Sequence, residues 1–336
     1  MNIRLVIEKL IHKQNLESEE VSQAFHSLMS GELTDPLIAS FLTAFASKGY
    51  TSLELTAAVG SMLNHSKKVE LSNHDFIDTC GTGGDGKGTL NVSTLSALCL
   101  SSLGHSVVKH GNRSVSSVSG SSDVLAGLGY KIHEDGNKNL EEFQKHRFTF
   151  LFAPHWHPAM KYVGPVRKEL GFRTIFNLLG PLSNPWKPNY QIIGVYHDSL
   201  LDLYAGTLSQ LGRKRALVCH SRDGMDEFSL DAPTDYRMIE SGEIRSGWID
   251  PNEVSWGKNM EDSTSLFVSS PEEAISKAKM VLQGVDFVGT RWVALNGGVA
   301  LWVMGKSPNW IEGTKSVFDQ ILSGKVEKYF SSLLGS

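Results

Sequence analysis

The sequence predicts an α/β protein in which a small all-helical N-terminal domain precedes a larger α/β domain with a central, mainly parallel sheet. Three observations carry this. Residues 1–72 show helical periodicity only, broken by the stop and start signals of separate helices. From residue 73 onward, short β-rich runs alternate with helical ones, which is the pattern of parallel strands joined by helices. The chain has 336 residues, 40% of them apolar, enough for about two domains with a sizeable core.

The first helix with a clear start signal is "EEVSQAFHSLMSG", for which Ser18 can serve as N-cap. Val21, Phe25, Leu28 and Met29 fall on one face and Gly31 ends it. Asp35 and Pro36 open "PLIASFLTAFASKG", with Gly49 as its stop, and Thr51 with Glu54 forms a capping box ahead of "LTAAVGSMLNHS". Strands are expected at Phe76–Cys80, Ser106–His110, Phe148–Phe152, Gln191–Tyr196, Ala216–His220 and Tyr236–Ile239. Between the first two lies the helical "STLSALCLSSLG", closed by Gly104. Residues 154–180 are again helical and contain several prolines. A segment within 155–185 is therefore expected to complete the helical domain of residues 1–72, leaving 73–336 as the α/β domain.

A net charge of -4 gives no general field to attract nucleic acid or an anionic membrane, so an anion must be held by a local site. The three cysteines, Cys80, Cys99 and Cys219, lie in apolar segments without C-x-x-C spacing and are expected to be reduced core residues. The opening "MNIRLVIEKLIHKQNL" contains Glu8 and lacks both an apolar h-region and a small-residue cleavage site, and no apolar run reaches membrane length. A cytoplasmic location is expected.

The stretch "HDFIDTCGTGGDGKGTLNVST" matches two phosphate motifs literally, and both fail on chemistry. Gly81, Gly83 and Gly86 spell the dinucleotide fingerprint. Its ribose-binding acid should follow about 20 positions on, where Lys109, His110 and Arg113 stand instead. Gly81, Gly86 and Lys87 spell most of a P-loop, but Gly88 occupies the Ser/Thr position that ligates magnesium. What survives is a strand entering a glycine-rich loop and then the hydroxyl-rich start of a helix, where backbone amides can approach an anion. A glycine-rich turn without a ligand would share these features. Asp85 points further, because a carboxylate beside phosphate needs a sugar hydroxyl or a cation between them.

Three more clusters stand out. "VKHGNRSVSSVSGSSDVLAGLG" places Lys109, Asn112, Arg113 and several hydroxyls after a strand, with a helix beginning near Ser121, which suits a second anion cradle or an exposed serine-rich loop. In "DGMDEFS", Asp226 and Glu227 are adjacent acids that could share Mg²⁺ with a ligand's phosphates, or simply be solvated. In "FLFAPHWHPAMKYVGPVRKELGFRTIFNLLGPLSNP", His155 and His157 lack a third metal ligand nearby. Arg167 could pair with a carboxylate or stand exposed.

Together "GTGGDGKGTLNVST", "KHGNRSVSSVSGSSDVLAGLG", "FAPHWHPAM", "VRKELGFRTIFNLLGPLSNP", "DGMDE" and "LNGGVAL" resemble the anthranilate phosphoribosyltransferase family over nearly the whole chain and in the family's order. The resemblance implies transfer of the phosphoribosyl group of 5-phosphoribosyl 1-pyrophosphate to the amine of anthranilate, in tryptophan biosynthesis. It also implies a cleft site between the domains, Mg²⁺, and a homodimer formed through the helical part, with no nucleic-acid or membrane partner. Carried over by position, Gly81, Gly84, Asp85, Thr89, Asn91, Val92, Ser93 and Thr94 would bind phosphoribosyl pyrophosphate. Lys109, His110, Gly111, Asn112, Arg113, Ser114, Val115, Ser116, Ser117 and Ser121 would join them from the second loop. Ser93, Asp226 and Glu227 would hold Mg²⁺, and Gly81, Asn112 and Arg167 would contact anthranilate. No general base is assigned, and Asp85, Lys109 and Arg167 are expected to position the reactants. Met225 replaces the family's usual Leu, Gly297 a common Ala, and Ser122 the more usual Ala after Ser121. A pyrimidine nucleoside phosphorylase-like enzyme and a non-catalytic nucleic-acid-binding relative are the alternatives.

Overall fold

The N-terminal helices α1 (Ile3–Ile11), α2 (Ser18–Met29), α3 (Asp35–Lys48) and α4 (Ser52–Asn64) form wherever an apolar stripe meets a cap. The computed structural model describes residues 2–69, 71, 74–84, 87–113, 118–256 and 266–335. At α4 the expected box closes: Glu54 N–H donates to Thr51 Oγ1 at 3.2 Å and Thr51 N–H to Glu54 Oε2 at 2.8 Å. The Glu54 carboxylate is fully buried, and Lys48 at 2.8 Å and the Leu16 N–H at 2.8 Å complete its partners. Two starts sit one residue earlier than the residue types suggest. Ser18 is the first residue of α2 rather than its cap, because Glu20 accepts from the Glu17 N–H at 3.0 Å. Thr34 likewise precedes α3, leaving Pro36 in its first turn, where the missing N–H costs nothing.

The α/β part is a seven-stranded sheet of order β3-β2-β1-β4-β5-β6-β7 among the described residues. Its strands are β1 (Ile77–Gly81), β2 (Val107–Gly111), β3 (Phe148–Phe152), β4 (Tyr190–Gly194), β5 (Arg215–Ser221), β6 (Thr234–Glu240) and β7 (Glu243–Ile249). The first five run parallel, and the last two add an antiparallel hairpin. β7 has no counterpart among the expected strands. It is an edge strand with Glu243, Ile244, Arg245 and Ser246 all exposed, so no apolar alternation marks it. Ser241 and Gly242, with φ of 51° and 87°, make the two-residue turn that leads into it.

One face of the sheet carries α5 (Val92–Ser102), α12 (Pro271–Leu282), α13 (Val288–Val303), α14 (Trp310–Leu322) and α15 (Lys325–Leu334) in one apolar cluster. That side also receives α6 (Ser121–Gly127), while α7 (Gly136–His146) packs on β3. On the other face, α11 (Leu201–Gln210) packs beside β4 and β5 together with the N-terminal helices. Between β3 and β4 the chain forms α8 (Ala153–Trp156), α9 (Gly164–Leu170) and α10 (Phe176–Leu179). Val166, Phe176 and Leu179 of this segment share a core with Phe25, Phe41 and Phe45, and the Phe25 and Phe176 rings lie 5.6 Å apart. The helical bundle therefore rests directly on the sheet through a continuous apolar layer. No described helix is long and apolar enough to cross a membrane.

A buried polar knot under β3 yields a pH prediction. The Glu142 carboxylate accepts from Tyr130 Oη at 2.5 Å and Thr149 Oγ1 at 2.8 Å, with His133 Nε2 at 3.6 Å. Burial pushes its pKa up to about 7, against the downward pull of those two hydrogen bonds. The folded state thus holds a proton that the unfolded chain releases. The resulting stability, up to about 3 kcal/mol, is fully present below the ordinary carboxylate range and is lost as pH climbs through 7. Urea melts at pH 5 and pH 8 should show this slope, and Glu142→Gln should reduce it. An unchanged slope in the variant would remove Glu142 as the cause.

Candidate active site

Strand order places the site. Connections from β1 and β4 leave toward opposite sides, so a crevice opens at their carboxyl ends, the usual ligand position in an open α/β sheet. There Gly81 pairs with Gly194, and Gly194 with Cys219. Both glycines are required by contact: a Cβ on Gly81 would meet Asp226 Oδ2 at 2.4 Å, and one on Gly194 would meet the Asp226 carbonyl oxygen at 1.5 Å. The loop after β5 thus presses its acid pair into the strand ends. A cleft is lined there by Thr79, Ser93, Gly194, Asp226, Glu227 and Asn296, among others.

The glycine loop is anchored to these acids. Gly83 N–H donates to Asp226 Oδ2 at 2.8 Å, and Ser93 N–H to Glu227 Oε1 at 3.2 Å. Gly83 and Gly84 have φ of 63° and 81°, left-handed values that glycine adopts without strain. Asp85 lies outside the described residues, as does Gly86. Thr89 bridges to Phe267, and Lys87 Nζ donates to the Asp223 carbonyl. At the start of α5, Val92 is a core side chain, and Thr94 Oγ1 is buried without a hydrogen-bond partner among the described residues. Asn91 reaches the second loop: its Nδ2 donates to the Ser119 carbonyl at 3.1 Å, and Ser119 Oγ donates to Asn91 Oδ1 at 3.0 Å.

Lys109, at 2% exposure, is buried within β2 and belongs to the same centre. Its ammonium donates to the Thr79 carbonyl at 2.5 Å and to Ser93 Oγ at 3.2 Å. Burial pulls its pKa down, opposed by the charges of Asp78 and Glu227. Asp78 is pushed up to about 6 by burial, against Lys109 and a 3.0 Å hydrogen bond from Asn184 Nδ2. His110 is held well below the ordinary imidazole range by burial and by nearby His157, whose ring lies 5.2 Å away.

Gly111 closes β2 against Ser121, whose Oγ donates to the Asn112 carbonyl at 3.3 Å. Asn112 Oδ1 accepts from the Arg113 N–H at 2.7 Å, and Arg113 lies over Phe152. Ser114, Val115, Ser116 and Ser117 lie outside the described residues.

The structure brings together Gly81, Ser93, Lys109, Asp226 and Glu227. Arg167 is half-buried on α9, 5.2 Å over the Phe176 ring, and forms no salt bridge with a carboxylate among the described residues. Burial lowers its pKa. Each histidine of the pair has its own partner among the described residues. His155 Nε2 pairs with Glu134 at 3.2 Å, and His157 Nε2 faces the Ser183 carbonyl at 2.9 Å.

Two supports went unread in the residue types. Trp292 Nε1 donates to the Phe228 carbonyl at 2.5 Å and Asn296 Oδ1 accepts from the Phe228 N–H at 3.0 Å, so α13 clamps the acid loop. This explains the Asn of "LNGGVAL". Arg173, the other support, contacts Gly84 from the segment between α9 and α10. It lies within the block "VRKELGFRTIFNLLGPLSNP", where residue type alone gives it no partner.

This fold and site define a transferase of the glycosyl transferase family: residues 4–66 match the helical bundle domain of that family and residues 73–327 its a/b domain. The anthranilate phosphoribosyltransferase of Pelagibacter ubique (strain HTCC1062) is 41% identical over 323 residues, covering 96% of this chain and 97% of that protein. That of Geobacillus thermodenitrificans (strain NG80-2) is 39% identical over 333 residues, covering 98% and 97%. The crystal structure of the enzyme from Thermus thermophilus superposes with a TM-score of 0.90 at 34% identity, covering 100% of this chain and 99% of that one. The Saccharomyces cerevisiae enzyme in complex with PRPP and Mg superposes at 0.87 with 26% identity, covering 99% and 98%. The chain belongs to the anthranilate phosphoribosyltransferase family.

Proposed function

We propose that this chain transfers the phosphoribosyl group of 5-phosphoribosyl 1-pyrophosphate to the amine of anthranilate, releasing pyrophosphate, as a step of tryptophan biosynthesis. The observation that carries the reading is the meeting of the glycine loop, Ser93, Lys109 and the Asp226-Glu227 pair at one crevice. Two carboxylates and a hydroxyl are an all-oxygen donor set, which suits Mg²⁺ bound jointly with phosphate oxygens. Ser93, Asp226 and Glu227 would hold it, and when bound it offsets the charge of the leaving pyrophosphate.

The chain's own residues then act by positioning. The Gly81–Gly84 loop and the N-terminus of α5 border the crevice where negative charge would develop, while buried Lys109 fixes the Ser93 hydroxyl. The amine lone pair attacks C1 of the ribose, the C1–O bond breaks toward pyrophosphate, and the amine proton leaves to solvent. An aromatic amine is already unprotonated near neutral pH, so no strong general base is needed. On the same reading Asp85 orients the sugar or the metal-bound pyrophosphate. The second loop, Lys109–Ser117 with Ser121, completes the pyrophosphate site beside Gly81, Gly84, Thr89 and Asn91–Thr94.

The functional domains are then 1–72, completed by the helices within 155–185, and 73–336. A cytoplasmic location is part of this reading, and a homodimer through the helical part is favoured by Leu5 and Ile11, which are 58% and 62% exposed on α1.

Mixing protein, Mg²⁺, phosphoribosyl pyrophosphate and anthranilate and following anthranilate fluorescence tests the reaction. Loss of signal is expected, and its absence with folded protein would discard the reading. Phosphorolysis of a pyrimidine nucleoside, or binding to nucleic acid without turnover, would favour the alternatives. Arg167→Ala should raise the KM for anthranilate about tenfold or more, as loss of a charge-assisted pair does. A selective rise in the KM for phosphoribosyl pyrophosphate would instead make Arg167 a phosphate ligand.

A further inference from the structure

We propose that Arg173 is a positioning residue for the glycine loop, holding the Gly84 carbonyl and with it the turn of the loop beside the pyrophosphate site. This rests on the phosphoribosyl-transfer reading above. Arg173 Nη2 donates to the Gly84 carbonyl at 2.6 Å, and its guanidinium stacks on Tyr196, 3.7 Å from the ring centroid. Tyr196 is itself tied to the same loop. Its N–H donates to Thr82 Oγ1 at 3.1 Å, and the Thr82 N–H donates to the Gly194 carbonyl at 2.9 Å. Thr82, Tyr196, Arg173 and Gly84 thus form a closed bracket around the loop's turn.

The bracket answers a specific physical problem. Gly83 and Gly84, both at left-handed φ, rotate about their backbone bonds at little cost, and an anion site needs its loop held in one conformation from both ends of such a pair. Gly83 is held through its N–H by Asp226; Arg173 alone, among the described residues, holds the Gly84 carbonyl. The fit is close, since a Cβ on Gly84 would lie 2.5 Å from Arg173 Nη2. Arg173 itself is exposed, between helices that pack with the N-terminal bundle, so the bracket also ties that side of the cleft to the loop. Stacking on an aromatic face with a directed donor is a guanidinium property that lysine reproduces only in part.

The test combines steady-state kinetics in both substrates with calorimetric titration of inorganic pyrophosphate in the presence of Mg²⁺. Arg173→Ala should raise the KM for phosphoribosyl pyrophosphate and the pyrophosphate Kd by about tenfold, leaving the anthranilate KM and the melting temperature unchanged. Arg173→Lys should recover part of the loss, and Tyr196→Phe, which keeps the ring, should match the parent chain. An effect confined to the anthranilate KM would make Arg173 a direct carboxylate ligand and overturn the proposal. So would unchanged pyrophosphate affinity, or a loss that follows the melting temperature. If the parent chain consumes no anthranilate, the proposed reaction fails on its own, and the pyrophosphate titration still decides the role of Arg173.

Discussion

Replacing Asp226 by Asn and Glu227 by Gln together is expected to lower turnover by on the order of 10²–10³, with the folded state intact. The substitutions keep size and hydrogen-bond acceptance, so Gly83 and Ser93 can still donate to the side-chain oxygens they meet now. The loop backbone is held independently, by Trp292 and Asn296 at Phe228 and by the Ser221 N–H donating to the Met225 carbonyl at 2.9 Å. What disappears is the negative charge and, on each side chain, one of its two acceptor oxygens. Turnover measured across a Mg²⁺ series should show a weakened metal dependence in the variant. Parent-like activity with parent-like Mg²⁺ dependence would sink the role given to the pair.

Lys109→Met is expected to damage both activity and stability. The buried ammonium fixes Ser93 Oγ and the Thr79 carbonyl and balances the buried Asp78. Without it Asp78 keeps the Asn184 and His110 hydrogen bonds and the more distant charge of Arg213, but loses its main cationic neighbour. Removing one member of a buried charge set destabilises by about 3 kcal/mol, so a clear shift in the denaturation midpoint is expected together with a rise in the KM for phosphoribosyl pyrophosphate. Ser93→Ala separates the two effects. It should weaken substrate and Mg²⁺ affinity without the stability loss, and equal destabilisation by both variants would refute the charge-balance account of Lys109.

Elements with local causes were legible before folding. Thr51 with Glu54, Gly49 as the stop of α3, and the β2 and β3 segments depend on residue type and short spacing, and the chain forms them where expected. β7 was not legible, because an edge strand open on both faces carries no alternation. The cap of α2 slipped by one residue because Ser18 is a better cap by type, whereas the reach of Glu20 selects Glu17. At the site, the glycines, the Lys109 block and the acid pair each announced possible anion or metal chemistry, and each remained ambiguous singly. Gly83 and Asp226 stand 143 residues apart, and Arg173 and Gly84 stand 89 apart. No local spacing can express such pairs.

Residue type and order thus settle the two-part α/β class, the helix ends and the list of groups able to meet phosphate. Folding alone settles which of those groups share a crevice. Parallel strands with crossovers on opposite sides bring the ends of β1, β4 and β5 into register, and close contact at Gly81 and Gly194 then seats Asp226 beside the glycine loop. The same packing brings Arg173 to the Gly84 carbonyl, a contact that its place in a quoted block does not reveal. The reason is physical: capping and periodicity act over a few residues, whereas a charge or a guanidinium acts on whatever the fold places within a few ångströms.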